Sequence, residues 1–198
     1  MPVTTTRTLP AAILREVQKA VIGKDLVLTK VLLAFLAGGH VLMEDMPGVG
    51  KTTLAIAFSK ALGLNCRRVQ FTPDVLPSDL TGFSVYEKNT GTFVFQPGAL
   101  FCHLLLADEI NRTSSKTQAA LLEAMEESNV TVEGKTYALP RPHLVIATQN
   151  PLGCVGTQSL PESQLDRFLM RLHMGYPEIQ DEVAILKGHA ARDPLEDV

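Results

Sequence analysis

The chain has 198 residues, of which 45% are apolar, and a formal net charge of −3. That length and apolar content suit one packed domain with a sizeable core and exclude a disordered chain. The mild acidity gives no electrostatic footprint for nucleic acid or an anionic membrane. Cys66, Cys102 and Cys154 are an odd set without C-x-x-C spacing and read as reduced thiols; the histidines show no metal-ligand spacing. The start, "MPVTTTRTLP", lacks a signal-peptide layout, and no apolar run approaches the ~20 residues of a membrane span. A soluble, cytoplasmic protein with no membrane span is expected.

Thr8 to Gly23 reads as a helix: Thr8 caps it, Pro10 suits its first turn, and Ile13, Val17 and Ala20 share a face. A second helix runs through "KDLVLTKVLLAFLAGG" and stops at Gly38-Gly39, so the N-terminal helices occupy 8–38. "HVLME" (40–44) is a short apolar run ahead of a glycine-rich loop, the pattern of a buried strand. "KTTLAIAFSKALG" then forms a helix that ends at Gly63. Further strands are expected in "CRRVQF" (66–71), "LFCHLLLAD" (100–108), "HLVIATQ" (143–149) and "FLMRLHM" (168–174). A helix over 115–128 carries apolar residues at Ala119, Leu122 and Met125. Alternating strands and helices make an α/β fold, a parallel sheet covered on both faces. Two pieces break the alternation and read as β-hairpins: 83–95, around Asn89-Thr90-Gly91, and 130–139, around Gly134-Lys135.

"EDMPGVGKTT" (44–53) ends as a phosphate loop should, with Gly50, Lys51 and Thr52, but Asp45 stands where the pattern G-x-x-x-x-G-K-[ST] begins with glycine. Backbone N–H groups from Gly48 to Thr52 would line a nest for phosphates, and the following helix adds the positive end of its dipole. Lys51 would reach the β- and γ-phosphates and the Thr52 hydroxyl would ligate Mg²⁺. Aspartate tolerates a left-handed backbone and can bond its own turn, so Asp45 is a workable substitute provided its carboxylate points away from the phosphates. Pro47-Gly48 sets the turn.

"LLLADE" (104–109) is an apolar strand that ends in two acids. Asp108 would hold Mg²⁺ through its water shell, and Glu109 would take a proton from the water that attacks the γ-phosphate. Asn150, closing "IATQNP", would orient that water or simply make an Asn-Pro turn. Arg167, in "LPESQLDRF", would reach a neighbouring subunit's site as an arginine finger or pair with Asp166 or Glu162. Arg112 contacts a neighbour or caps a turn. Gln70 or Thr72, near the end of the second strand, is placed to hold Glu109.

Together these elements resemble an AAA+ ATPase, and within that class the MoxR family. The resemblance rests on "EDMPGVGKTT", "QFTPDVLPSDLTGFSVYE", "FQPGALF", "LLLADEINRTSSKTQAALLEAMEE", "VIATQNP" and "LPESQLDRFLMRL", nearly the whole chain. It implies a three-layer P-loop NTPase core with a central five-stranded parallel sheet in the order 5-1-4-3-2. It implies Asp108 and Glu109 as Walker B, Asn150 as sensor 1 and Arg167 as the finger. "VIGK" (21–24) resembles the box beside the adenine, which adds Ile22 and Gly23 to Pro47, Gly48, Val49, Gly50, Lys51, Thr52 and Thr53 as nucleotide-binding residues. The two hairpins match the insert in helix 2 and the hairpin before sensor 1, which in related assemblies line a ring pore. The core would fill 1–176. Residues 177–198 would begin a helical lid of about a hundred residues, with the sensor 2 arginine beyond Val198.

The function so implied is ATP hydrolysis with Mg²⁺ in a ring, expected to be a hexamer, that remodels or matures partner proteins. A protein with a von Willebrand factor A domain is the expected partner, in some members for metal-cofactor insertion. Two other readings stand beside it. A nucleic-acid motor of the replicative-helicase type is disfavoured by the acidic charge and by hairpins offering only Lys88 and Lys135. A scaffold that binds nucleotide without hydrolysis is disfavoured by Lys51, Asp108, Glu109 and Asn150.

Overall fold

The computed structural model describes residues 4–46, 48–150, 160–189 and 194–198. Pro47 and Cys154 lie outside the described residues. The chain opens with α1 (Thr4–Ala20) and α2 (Asp25–Leu36), then β1 (His40–Glu44), α3 (Lys51–Ala61) and β2 (Cys66–Gln70). A short α4 (Pro77–Thr81) leads into the hairpin β3 (Phe83–Glu87) and β4 (Thr92–Gln96). Next come β5 (Leu104–Asp108), α5 (Ser115–Glu127) and a second hairpin, β6 (Asn129–Val132) and β7 (Lys135–Ala138). The series closes with β8 (Leu144–Gln149), α6 (Glu162–Leu165), β9 (Phe168–Leu172) and α7 (Ile179–His189).

β2, β5, β8, β1 and β9 lie side by side in that order, each neighbouring pair parallel. Counting only these strands from the N-terminus, the order is the expected 5-1-4-3-2. The continuous apolar runs follow from burial on both faces. Along β5, Leu104 and Leu106 enter one core with α1, α2 and α3, whereas Leu105 and Ala107 enter another with α5. β1 divides the same way: Val41 and Met43 to the first core, Leu42 to the second. Side chains two apart share a face, so one strand feeds both layers. Phe35 of α2 meets Phe58 of α3 edge-on at 5.5 Å.

Several boundaries differ from the sequence reading. α1 begins at Thr4, a full turn before Thr8, so Pro10 lies inside it, in the second turn, where it cannot donate the backbone hydrogen bond to the carbonyl one turn back. The buried face of α5 is Gln118, Leu121, Leu122 and Met125, and Ala119 faces out. The second hairpin turns at Glu133-Gly134, with φ of 52° and 77°, because a two-residue turn of this hand needs positive φ at both positions; Lys135 already pairs with Val132. The two hairpins touch: Phe95 of β4 stacks on Tyr137 of β7 at 3.9 Å, 13° from coplanar. No helix among the described residues is long and apolar enough to cross a membrane.

His40, at the start of β1, is buried and ties three elements together. Its Nδ1 accepts the N–H of Val145 at 3.1 Å, so Nε2 carries the proton and donates to the carbonyl of Met125 at 3.1 Å. Burial, the largest influence, drives its pKa down to about 4.

Candidate functional site

The loop from β1 to α3 leaves toward the first core, while the chain leaves β5 for α5 on the opposite face. The strand ends between these departures form the crevice where open α/β sheets bind ligands. Gly50 stands just before α3 with φ of 94° and Gly48 has φ of 87°, conformations in which a Cβ would be strained. They turn the chain so that α3 points its N-terminus into a cavity of about 310 Å³. That cavity is lined by Asp45, Gly48, Gly50, Lys51 and Thr52 from the loop, Asp108 and Glu109 from the end of β5, Thr148 and Asn150 from the end of β8, and Arg68 and Gln70 from β2.

Lys51 donates from Nζ to the carbonyls of Asp45 and Met46, at 3.0 and 2.8 Å. Burial lowers its pKa, and the nearby Asp45, Asp108 and Glu109 only partly oppose that. Asp45 lines the cavity with part of its surface, but its carboxylate is engaged elsewhere, and not through backbone tolerance: it is not among the residues with positive φ. Its two oxygens accept the N–H groups of Met174 (2.5 Å) and Gly175 (3.0 Å), just past β9. The acid is a cap for the next chain segment.

Asp108 accepts from Arg68 Nε at 2.7 Å and from the Thr148 hydroxyl at 3.4 Å. Glu109 has φ of 56°, which swings its side chain off the strand. Its backbone N–H donates to Thr148 Oγ1 at 2.9 Å, so one threonine fixes both acids. One Glu109 oxygen, Oε2, accepts from Gln70 (2.9 Å) and from Arg112 (2.7 Å). Gln70, and not Thr72, therefore reaches Glu109, and Arg112 spends a guanidinium N–H on the same acid. Asn150 is held through its carbonyl by Asn111 at 3.3 Å. The Thr52 hydroxyl and the Asp108 carboxylate are oxygen donors, which fits a hard cation such as Mg²⁺ completing its shell with phosphates and water. No cluster of three acid, His or Cys residues among the described ones could cage a metal without them.

A second cleft of about 450 Å³ adjoins the first and shares Gly48 and Gly50. Val21, Ile22, Val49, Thr53, Met174 and Tyr176 make it largely apolar, the right surface for a purine ring. Gly23 does not line it. A Cβ there would fall 2.0 Å from the carboxylate of Asp181 on α7, so this glycine (φ 73°) makes room for α7.

A profile of the "ATPase family associated with various cellular activities (AAA)" matches residues 40–170. The chain is 51% identical to the uncharacterized protein YeaC of Bacillus subtilis, over 91% of this chain and 57% of that one. It is 42% identical to Chaperone MoxR1 of Mycobacterium tuberculosis, over 90% of this chain and 47% of that one. The chain belongs to the MoxR-like AAA+ ATPases. A crystal structure of a Cytophaga hutchinsonii protein superposes with a TM-score of 0.82 at 36% identity, covering 96% of this chain and 62% of that one. The chain thus spans about half the length of these curated relatives.

In this MoxR-like ATPase Arg167 stands apart from both clefts. It donates to the Ser163 carbonyl (2.9 Å) and pairs with Glu126 of α5 (3.0 Å), and with neither of the acids beside it in sequence. It lines a separate groove between α5 and α6. Glu44, at the end of β1, carries another ion pair: Arg171 of β9 donates to both its oxygens, at 2.8 and 3.0 Å. Burial alone would raise the Glu44 carboxyl, but the bonds from Arg171 and Gln149 outweigh it and hold the pKa below its ordinary value. Sequence reasoning missed Thr148 and Arg68. A threonine one residue from the end of β8 and an arginine two residues from the end of β2 carry no motif, and only β-sheet register brings them to the acids.

Proposed function

We propose that the chain binds ATP with Mg²⁺ and hydrolyses it, as part of a ring of copies that remodels partner proteins. The observation that carries this reading is the meeting of Lys51, Thr52, Asp108, Glu109 and Asn150 around one cavity at the ends of β1, β5 and β8. The N–H groups of Gly48 to Thr52 and the Lys51 ammonium would hold the phosphates, with Ile22, Val49 and Met174 against the purine. Thr52 and Asp108 would hold Mg²⁺, which supplies charge neutralisation on the phosphates. Glu109 would take the proton from the attacking water and Asn150 would orient that water. Catalysis in this scheme is positioning and electrostatics.

Gln70 and Arg112 both bond the same oxygen, Oε2, of the Glu109 carboxylate, so that oxygen is engaged and not free to face a water in the cavity. Glu109 would therefore act after these bonds loosen, which gives a partner protein a means of switching turnover. Arg167 would serve the site of a neighbouring copy: it is remote from the cavities of its own chain and sits at the groove between α5 and α6. The ring is proposed as a hexamer, with 1–176 as its core and 177 onward leading to a helical lid. The partner is proposed to carry a von Willebrand factor A domain. That one relative is named a chaperone supports partner remodelling over a nucleic-acid motor.

The test is the full chain against Glu109→Gln, followed by nucleotide binding and phosphate release. The variant should bind ATP as the parent does and release phosphate at least about tenfold more slowly, a lower bound on the roughly hundredfold or greater contribution usual for a general base. Equal turnover would remove Glu109 from the mechanism.

A further inference from the structure

β2 is an edge strand, and its side chains alternate. Arg67 turns to the carbonyl of Gly98, at 2.8 Å. Arg68 and Gln70 share the other face, and each ends on one of the paired acids: Arg68 on Asp108, Gln70 on Glu109. Gln70 lies directly beside Asp108 in the strand register, and Arg68, two residues earlier, must extend forward along the sheet to reach it.

The Asp108 side chain is only 7% exposed, whereas that of Arg68 is 55% exposed, toward the cavity. A carboxylate so enclosed needs a counter-charge. Lys51 does not supply it by hydrogen bond, because its ammonium bonds the Asp45 and Met46 carbonyls. The cation bonded to Asp108 is Arg68.

We propose that Arg68 is a positioning residue that competes with the divalent cation for Asp108. The guanidinium draws on Oδ2 of the same carboxylate that a hydrated Mg²⁺ would need, so metal enters by displacing Arg68. The guanidinium is half in solvent on an edge strand, with room to swing aside. Arg68 therefore sets how much Mg²⁺ the site requires, and it keeps the buried acid neutralised whenever the metal leaves. This inference rests on the ATPase reading of the same cavity.

The test uses the full chain and the variants Arg68→Gln and Arg68→Lys. A fluorescent, non-hydrolysable ATP analogue is held at a saturating level, Mg²⁺ is titrated, and the Mg²⁺ concentration at half-maximal signal is read. Arg68→Gln should lower that concentration roughly threefold or more, the scale of a partly exposed ion pair. Arg68→Lys should fall between the two, and it carries the comparison if the glutamine variant does not fold. An unchanged midpoint would make the pair a purely structural one and overturn the inference. A raised midpoint with lost analogue affinity would assign Arg68 to the nucleotide and overturn it as well. If the parent chain took up no analogue at any Mg²⁺ concentration, the ATPase reading itself would fall, and this inference with it.

Discussion

The carboxylate of Asp45 accepts the backbone N–H of Gly175 at 3.0 Å, across 130 residues of sequence. Its second oxygen takes the N–H of Met174, which also lines the apolar cleft beside the loop. The residue that departs from the phosphate-loop pattern thus joins that loop to the segment after β9. Asp45→Gly, which restores the pattern, should do harm. It leaves two N–H groups without their acceptors at a largely buried position, a loss of about 1–3 kcal/mol. We expect a lower denaturation midpoint and weaker ATP binding, with Asp45→Asn milder on both counts. A glycine variant as stable and as tight as the parent would show the cap to be dispensable.

Lys51→Ala removes the ammonium that lines the cavity proposed to hold the phosphates. The two carbonyls it bonds lie at the loop's own turn, so the fold should survive. ATP binding should become undetectable by calorimetry at concentrations that saturate the parent, while the circular dichroism spectrum stays the same.

Arg167→Ala should separate stability from turnover. Its pair with Glu126 is between two exposed side chains and is worth at most about 1 kcal/mol. Nucleotide binding should be nearly unchanged and phosphate release slowed. Mixing this variant with Glu109→Gln should restore some activity, because a finger from one copy would serve an intact site on another. No recovery on mixing would leave Arg167 a structural residue.

Acid should weaken the fold through His40. Below pH 6.5 an unfolded chain takes up a proton on this ring, which the folded chain resists until about pH 4. Stability is fully present above pH 6.5 and is lost as pH falls through that window; at pH 5 the loss is about 1–2 kcal/mol. Burial lowers the pKa of His143 as well, with the same sign. Urea midpoints at pH 7 and pH 5 should differ clearly for the parent and less for His40→Asn.

The bounds of β1 were legible because a strand buried on both faces is written as an unbroken apolar run, and a glycine-rich loop announces its own turn; the sheet order came from the family resemblance alone, since an apolar run does not say which strand lies beside it. Lys51, Thr52, Asp108 and Glu109 were legible for the same local reason, since each sits at a fixed offset from a strand end. Asp45 was half legible. That its carboxylate must turn away followed from charge, but its true partners lie beyond β9, and no spacing rule spans that distance. Thr148 and Arg68 were hidden because their roles come from strand register, which pairs Gln70 with Asp108 and sets β8 beside β5. Arg167 was read as pairing with a sequence neighbour if it paired at all; packing of α6 on α5 offered Glu126 instead.

The stacked rings of Phe95 and Tyr137 make a single lever of two arms that the chain forms some forty residues apart. Two short connections run from the joined hairpins to the paired acids: back through α4 to β2, where Arg68 and Gln70 hold them, and forward into β8, where Thr148 bonds them from the opposite side. The stack thus ties both hairpins to the two strands that flank the acids.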